Sequence, residues 1–65
     1  MKLKVRIGDR RLEVFFQGKW RPLRYYQGNG IPGAKALKEA KETFVLNWTG
    51  KRDPILAKSI EFEFD

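Results

Sequence analysis

The chain has 65 residues, a net charge of +6, and neither Cys nor His. So short a chain buries only about 60% of the surface its unfolded form exposes; it is read as one small domain, residues 1–65, with no cofactor and with neither disulfides nor thiolate or imidazole zinc sites to staple it. No run of about 18 apolar residues is present and no apolar signal segment opens the chain, so a cytoplasmic protein away from membranes is expected.

Packing must therefore hold the fold, and two Trp, five Phe and two Tyr are available for it. Lys2 to Ile7 alternates polar and apolar residues and predicts a first strand, closed by a turn at Gly8-Asp9-Arg10. Arg11 to Gln17 continues the alternation as a second strand. It contains LEVFFQG, residues 12–18, which differs at one position from LEVLFQG, a sequence used to cut purification tags with a viral 3C protease. Lys19 stands where Pro follows in that site, and the alternation runs through the stretch from both sides, so it is read as part of the fold. A paired strand there resists a protease that needs an extended substrate.

Gly18-Lys19 is read as a tight turn and Trp20 to Gln27 as a third strand. Pro22 cannot donate to a ladder, so this strand is expected at an edge or bulged at Pro22. Residues 28–33 are turn residues, among them Gly28-Asn29-Gly30, and no Lys-Ser or Lys-Thr follows as a phosphate loop requires. Ala34 opens a stretch of strong helix formers, with Leu37, Ala40, Phe44 and Trp48 on one face and interleaved Lys and Glu outside. TFVLNWT, residues 43–49, reads as strand by propensity and as helix by continuation. Continuation is preferred, to about Asn47, with Gly50 suited to the C-terminal stop. Lys51 to Lys58 reads as a loop around Asp53-Pro54. SIEFEFD then closes the chain as a strand with Ile60, Phe62 and Phe64 inward.

The inward set is Leu3, Val5, Ile7, Leu12, Val14, Phe16, Leu23, Tyr25, Ile60, Phe62 and Phe64. The expected fold is α+β: a small antiparallel meander of three strands, one amphipathic helix, and a C-terminal strand that joins the sheet parallel to the first. The alternative is a five-stranded SH3-like or OB-like barrel with a short helix, built if residues 43–49 are a strand. In that case Phe15 and Trp20 belong to a second buried cluster.

Charge is unevenly placed. Residues 1–33 hold eight basic side chains, five of them Arg, against Asp9 and Glu13, whereas residues 34–65 hold six of each sign. This asymmetry points to a polyanionic partner. On the sheet face away from the helix the alternation places Lys2, Lys4, Arg6, Arg11, Glu13, Phe15, Trp20, Arg24 and Tyr26. Cations that neutralise phosphates beside rings that stack suit DNA or RNA. Lys4, Arg6, Arg11, Phe15, Trp20, Arg24 and Tyr26 are the expected nucleic-acid-binding residues. Some integrase arm-binding and plant AP2-type domains read DNA with a three-stranded sheet backed by one helix, a likeness of topology alone.

A structural reading of the same charges is a cross-strand ladder between Glu61 and Glu63 and Lys2, Lys4 and Arg6. A second functional reading is a protein-interaction accessory subunit, of phage or plasmid type, docking on a host complex through the same Arg, Trp and Tyr set. An exposed edge strand also offers pairing to a second copy. No catalytic or metal residues are singled out: the eight acidic residues are scattered, and a general base has only carboxylates or Lys to draw on.

Overall fold

The computed structural model describes residues 1–28 and 30–65. Strands β1 (Lys2–Ile7), β2 (Arg11–Phe16) and β3 (Lys19–Tyr25) lead into helices α1 (Ala34–Thr49) and α2 (Pro54–Lys58), and β4 (Glu61–Phe64) closes the fold. The sheet has the order β3-β2-β1-β4, with β1–β2 and β2–β3 antiparallel and β4 parallel to β1. This is the expected α+β meander with a returning C-terminal strand. The sheet stays open with β3 and β4 as its edges, and residues 43–49 are helical, so the barrel is not formed. Asn29, central to the expected turn at residues 28–30, lies outside the described residues.

The first hairpin turns through Arg10 at φ 58°, with the Gly8 N–H bonded to the Arg11 carbonyl at 2.8 Å. The second turns through Gln17 (φ 54°) and Gly18 (φ 79°), between the paired residues Phe16 and Lys19. Two positive-φ residues in a two-residue loop follow the right-handed strand twist. The turn is thus one residue earlier than Gly18-Lys19, and β3 begins at Lys19.

Pro22 has both expected consequences: β3 is an edge strand, and its ladder is irregular there. Leu12 faces Arg24 while Glu13 faces Pro22, so Leu23 is an extra residue on β3. A bulge of this kind reverses the facing of every later residue on the strand. Tyr25, expected inward, is 67% exposed on the outer face. Tyr26, expected outward, packs against the core instead, and its hydroxyl donates to the Gly30 carbonyl at 3.0 Å.

Helix α1 runs to Thr49, two residues past the expected end. Gly50 stops it in the left-handed conformation (φ 78°), its N–H bonded to the Leu46 carbonyl. That conformation is costly for any residue with a Cβ. Residues 54–58, expected as loop, form α2. Asp53 caps it by accepting from the Leu56 N–H at 3.0 Å, and Pro54 fills the first turn.

Both helices lie on one side of the sheet. Leu3, Val5, Leu12, Val14 and Leu23 meet Ala40, Phe44 and Val45 of α1, Ala57 of α2, and Ile60. Phe16, Phe44 and Trp48 add an aromatic cluster, with Phe16 edge-on to Phe44 at 4.9 Å between ring centres. Ile7, expected inward, is 41% exposed at the end of β1. Phe62 and Phe64 face the core but are only half-buried, because β4 is an edge.

Candidate functional site

The opposite side of the sheet is open. Its residues come from alternate positions: Lys2, Lys4 and Arg6 on β1; Arg11, Glu13 and Phe15 on β2; Trp20, Pro22 and Tyr25 on β3; Glu61 and Glu63 on β4. Five of the seven expected site residues therefore share this face: Lys4, Arg6, Arg11, Phe15 and Trp20.

Arg24 and Tyr26 do not, and the bulge at Leu23 is the reason. Arg24 turns toward the helices, where its Nη1 lies 2.6 Å from Oε2 of Glu39 on α1. It borders an open cleft of about 610 Å³ between β3 and α1, with Glu39, Thr43 and Arg52. Hydrogen bonding from Arg24, helped by its charge, holds the Glu39 carboxyl below its ordinary value. Tyr26 ties down the chain after β3. Tyr25 takes the outer position beside Arg11, its hydroxyl donating to Gln27.

Glu13 is the centre of the open face. Arg6 sits directly across from it on β1, and Arg11 two residues before it on the same side of β2. The Arg6 Nε donates to Oε1 at 2.7 Å and the Arg11 Nε to Oε2 at 2.9 Å. Glu13 is only 7% exposed, although among the described residues no helix covers this sheet face; Arg6, Arg11 and the Gly8 backbone lie against its carboxylate. Hydrogen bonds from Arg6 and then Arg11 lower its pKa against the opposing effect of desolvation. Gly8 makes room for the carboxylate: a Cβ there would lie 2.8 Å from Oε1.

The same Arg6 guanidinium lies over the Trp20 ring, 4.1 Å from its centre. Trp20 in turn meets Phe15 edge-on at 5.3 Å. The face is graded from edge to edge. Aromatic rings lie toward β3 and the arginine–glutamate cluster in the middle. Lys2 and Lys4 follow, and Glu61 and Glu63 stand in register beside them on β4. Among the described residues those lysines form no ion pair within 4.0 Å with their glutamate neighbours, so the expected ladder is a matter of register rather than contact.

Sequence reasoning placed Glu13 on this face without seeing its role. The signal was there: one acid, with Arg11 at the preceding same-face position of its strand and Arg6 on the same face of the neighbouring one. Among the described residues no group of three or more acidic side chains is placed to hold a metal ion, and no helix is long and apolar enough to cross a membrane. Compared with protein families, characterised proteins and solved structures, the chain finds no match.

Proposed function

We propose that the chain is a nucleic-acid-binding module whose contact surface is the open sheet face. The observation that supports this most is the gathering of Lys4, Arg6, Arg11, Phe15 and Trp20 on that face, with Lys2 and Tyr25 beside them. The exposed rings of Phe15 and Tyr25 and the half-buried Trp20, next to cations, match what a nucleic acid offers: charged phosphates and stackable bases. Lys2 and Lys4, long and free of ion pairs among the described residues, are the phosphate contacts. Trp20, Phe15 and Tyr25 supply the apolar and stacking contacts.

The two kinds of contact fail differently. Lys4→Ala is expected to weaken binding to all sequences and to reduce the salt slope by about one. Trp20→Ala is expected to cost about 1–3 kcal/mol with the slope nearly unchanged. Arg24→Ala, on the helix side and tied to Glu39, is expected to leave affinity alone. Titrations of labelled duplex and single-stranded DNA and RNA at several salt concentrations measure all three. Absence of binding to every oligonucleotide at low salt overturns the reading.

A second reading is a protein-interaction subunit using the same face. Glu13 cancels one of the two charges of Arg6 and Arg11, and β4 sets two glutamates beside Lys2 and Lys4. An aromatic and arginine patch with its charge so moderated suits a protein hot spot. Complex formation that persists with little loss as salt rises favours that reading.

A further inference from the structure

We propose that the open face reads guanine, through the O6/N7 edge of the base, with Arg6 as the reading residue and Glu13 and Trp20 as its positioning residues. The inference rests on the nucleic-acid reading above and narrows it to one chemical feature.

The geometry fixes one end of the Arg6 side chain and leaves the other available. Its Nε is committed to Glu13 Oε1 at 2.7 Å. Its guanidinium carbon lies over the Trp20 ring, 4.1 Å from the ring centre. Its Nη1 and Nη2 donate to no other residue among the described residues, and the side chain is 44% exposed. The outcome is a planar two-donor fork held in one orientation on an uncovered surface. Arg11, gripped through both Nε and Nη2 by Glu13 Oε2 at 2.9 and 2.8 Å, keeps the carboxylate from turning.

A phosphate contact needs none of this. Phosphate takes hydrogen bonds from many directions, and a mobile lysine serves. Burying a carboxylate between two arginines also works against phosphate, because the carboxylate repels it. Guanine is different. Its O6 and N7 are two neutral acceptors side by side, and a bidentate arginine matches them only when its plane and direction are set. Adenine presents a donor in place of O6 and is refused by a fork that has only donors. The buried glutamate is a handicap for the first ligand and the orienting device for the second. That edge is presented by duplex DNA in the major groove and by unpaired guanine in a single strand.

The test uses matched oligonucleotides, duplex and single-stranded, carrying guanine or 7-deazaguanine, which lacks only the N7 acceptor. Wild type is expected to bind the guanine oligonucleotide about fivefold or more tightly than its 7-deaza copy. The arm in which the difference appears identifies the source of the base. Arg6→Ala removes both donors, and is expected to bring that ratio to one, the lost charge weakening both oligonucleotides alike. Glu13→Gln is expected to shrink the ratio while affinity for the 7-deaza copy holds or rises, since a repelling charge has gone. Circular dichroism of both variants checks that they fold. Equal binding of the two oligonucleotides by wild type, with binding itself present, overturns guanine reading and leaves the nucleic-acid reading standing. A ratio that survives in Arg6→Ala removes Arg6 from the role. Absence of binding to any oligonucleotide at low salt removes both proposals together.

Discussion

A methyl group added at Gly8 would lie 2.8 Å from Oε1 of Glu13 and 2.9 Å from its carboxyl carbon. Gly8 is not among the positive-φ glycines, so its backbone suits alanine and only the collision counts. A free glutamate would swing aside at little cost. This one is held by Arg6 at 2.7 Å and by Arg11 at 2.8 Å, so moving it breaks both contacts. Gly8→Ala is therefore expected to lower the melting temperature and to weaken oligonucleotide binding together. The route of the effect is checked by a double-mutant cycle. In a Glu13→Ala background the same change at Gly8 is expected to be nearly neutral, because nothing is left to displace. A full penalty in that background would place the strain elsewhere. The sequence showed Gly8 as a turn residue; its second duty depends on a cross-strand neighbour, which local pattern does not contain.

At the level of elements, what was legible followed from periodicity, and what was not followed from a single phase change. The alternation in residues 2–7 and 11–16 sets β1 and β2 correctly, with Val5, Leu12 and Val14 each no more than 1% exposed. Pro22 announced the irregularity in β3, but a bulge inverts every position after it, and the alternation was carried through unchanged. That one step misplaced Arg24, Tyr25 and Tyr26. The helix from Ala34 was legible through its formers and its Gly50 stop. Val45, fully buried, was missed because the inner face of the helix was drawn through Leu37, Ala40, Phe44 and Trp48, whereas Trp48 is 43% exposed. The five residues of α2 are too few to show a helical period, although Asp53-Pro54 carries both a cap and a first-turn proline. Placing β4 at an edge also revises which of its residues matters most. Ile60, just before the strand, is 1% exposed, whereas Phe62 is half-buried. Ile60→Ala is expected to cost about 2–5 kcal/mol, a large share of the stability of so small a domain. Phe62→Ala is expected to cost less, despite the larger side chain. Urea unfolding of the two variants measures the order, and a larger loss at Phe62 would mean that β4 is covered more deeply than an edge strand.

Across the whole molecule, three of the eight basic residues of the first half are held in ion pairs, two of them between elements. Arg6 joins β1 to β2 through Glu13, which Arg11 holds within β2, and Arg24 joins β3 to α1 through Glu39. The two carboxyls sit below their ordinary value of 4.5 for the same reason, hydrogen bonds from arginine in the folded state alone. The unfolded chain takes up these two protons as pH falls through about 4.5, while the folded chain takes them up only at lower pH. Between those points the unfolded state binds more protons, so stability falls with falling pH. Above about 4.5 the contribution is complete. The chain has no His, so no imidazole adds a transition near neutrality. Melting temperature is therefore expected to be level from the neutral range down to about pH 5 and to drop below it. Glu13→Gln with Glu39→Gln is expected to lower the plateau and to flatten the acid limb, since at neither position can the double variant take up the proton that wild type gains. Thermal melts of wild type and the double variant across the acid range decide it. An acid limb of unchanged depth in the double variant would mean that other carboxylates carry the acid sensitivity, and that these arginine ties do little to hold the elements together.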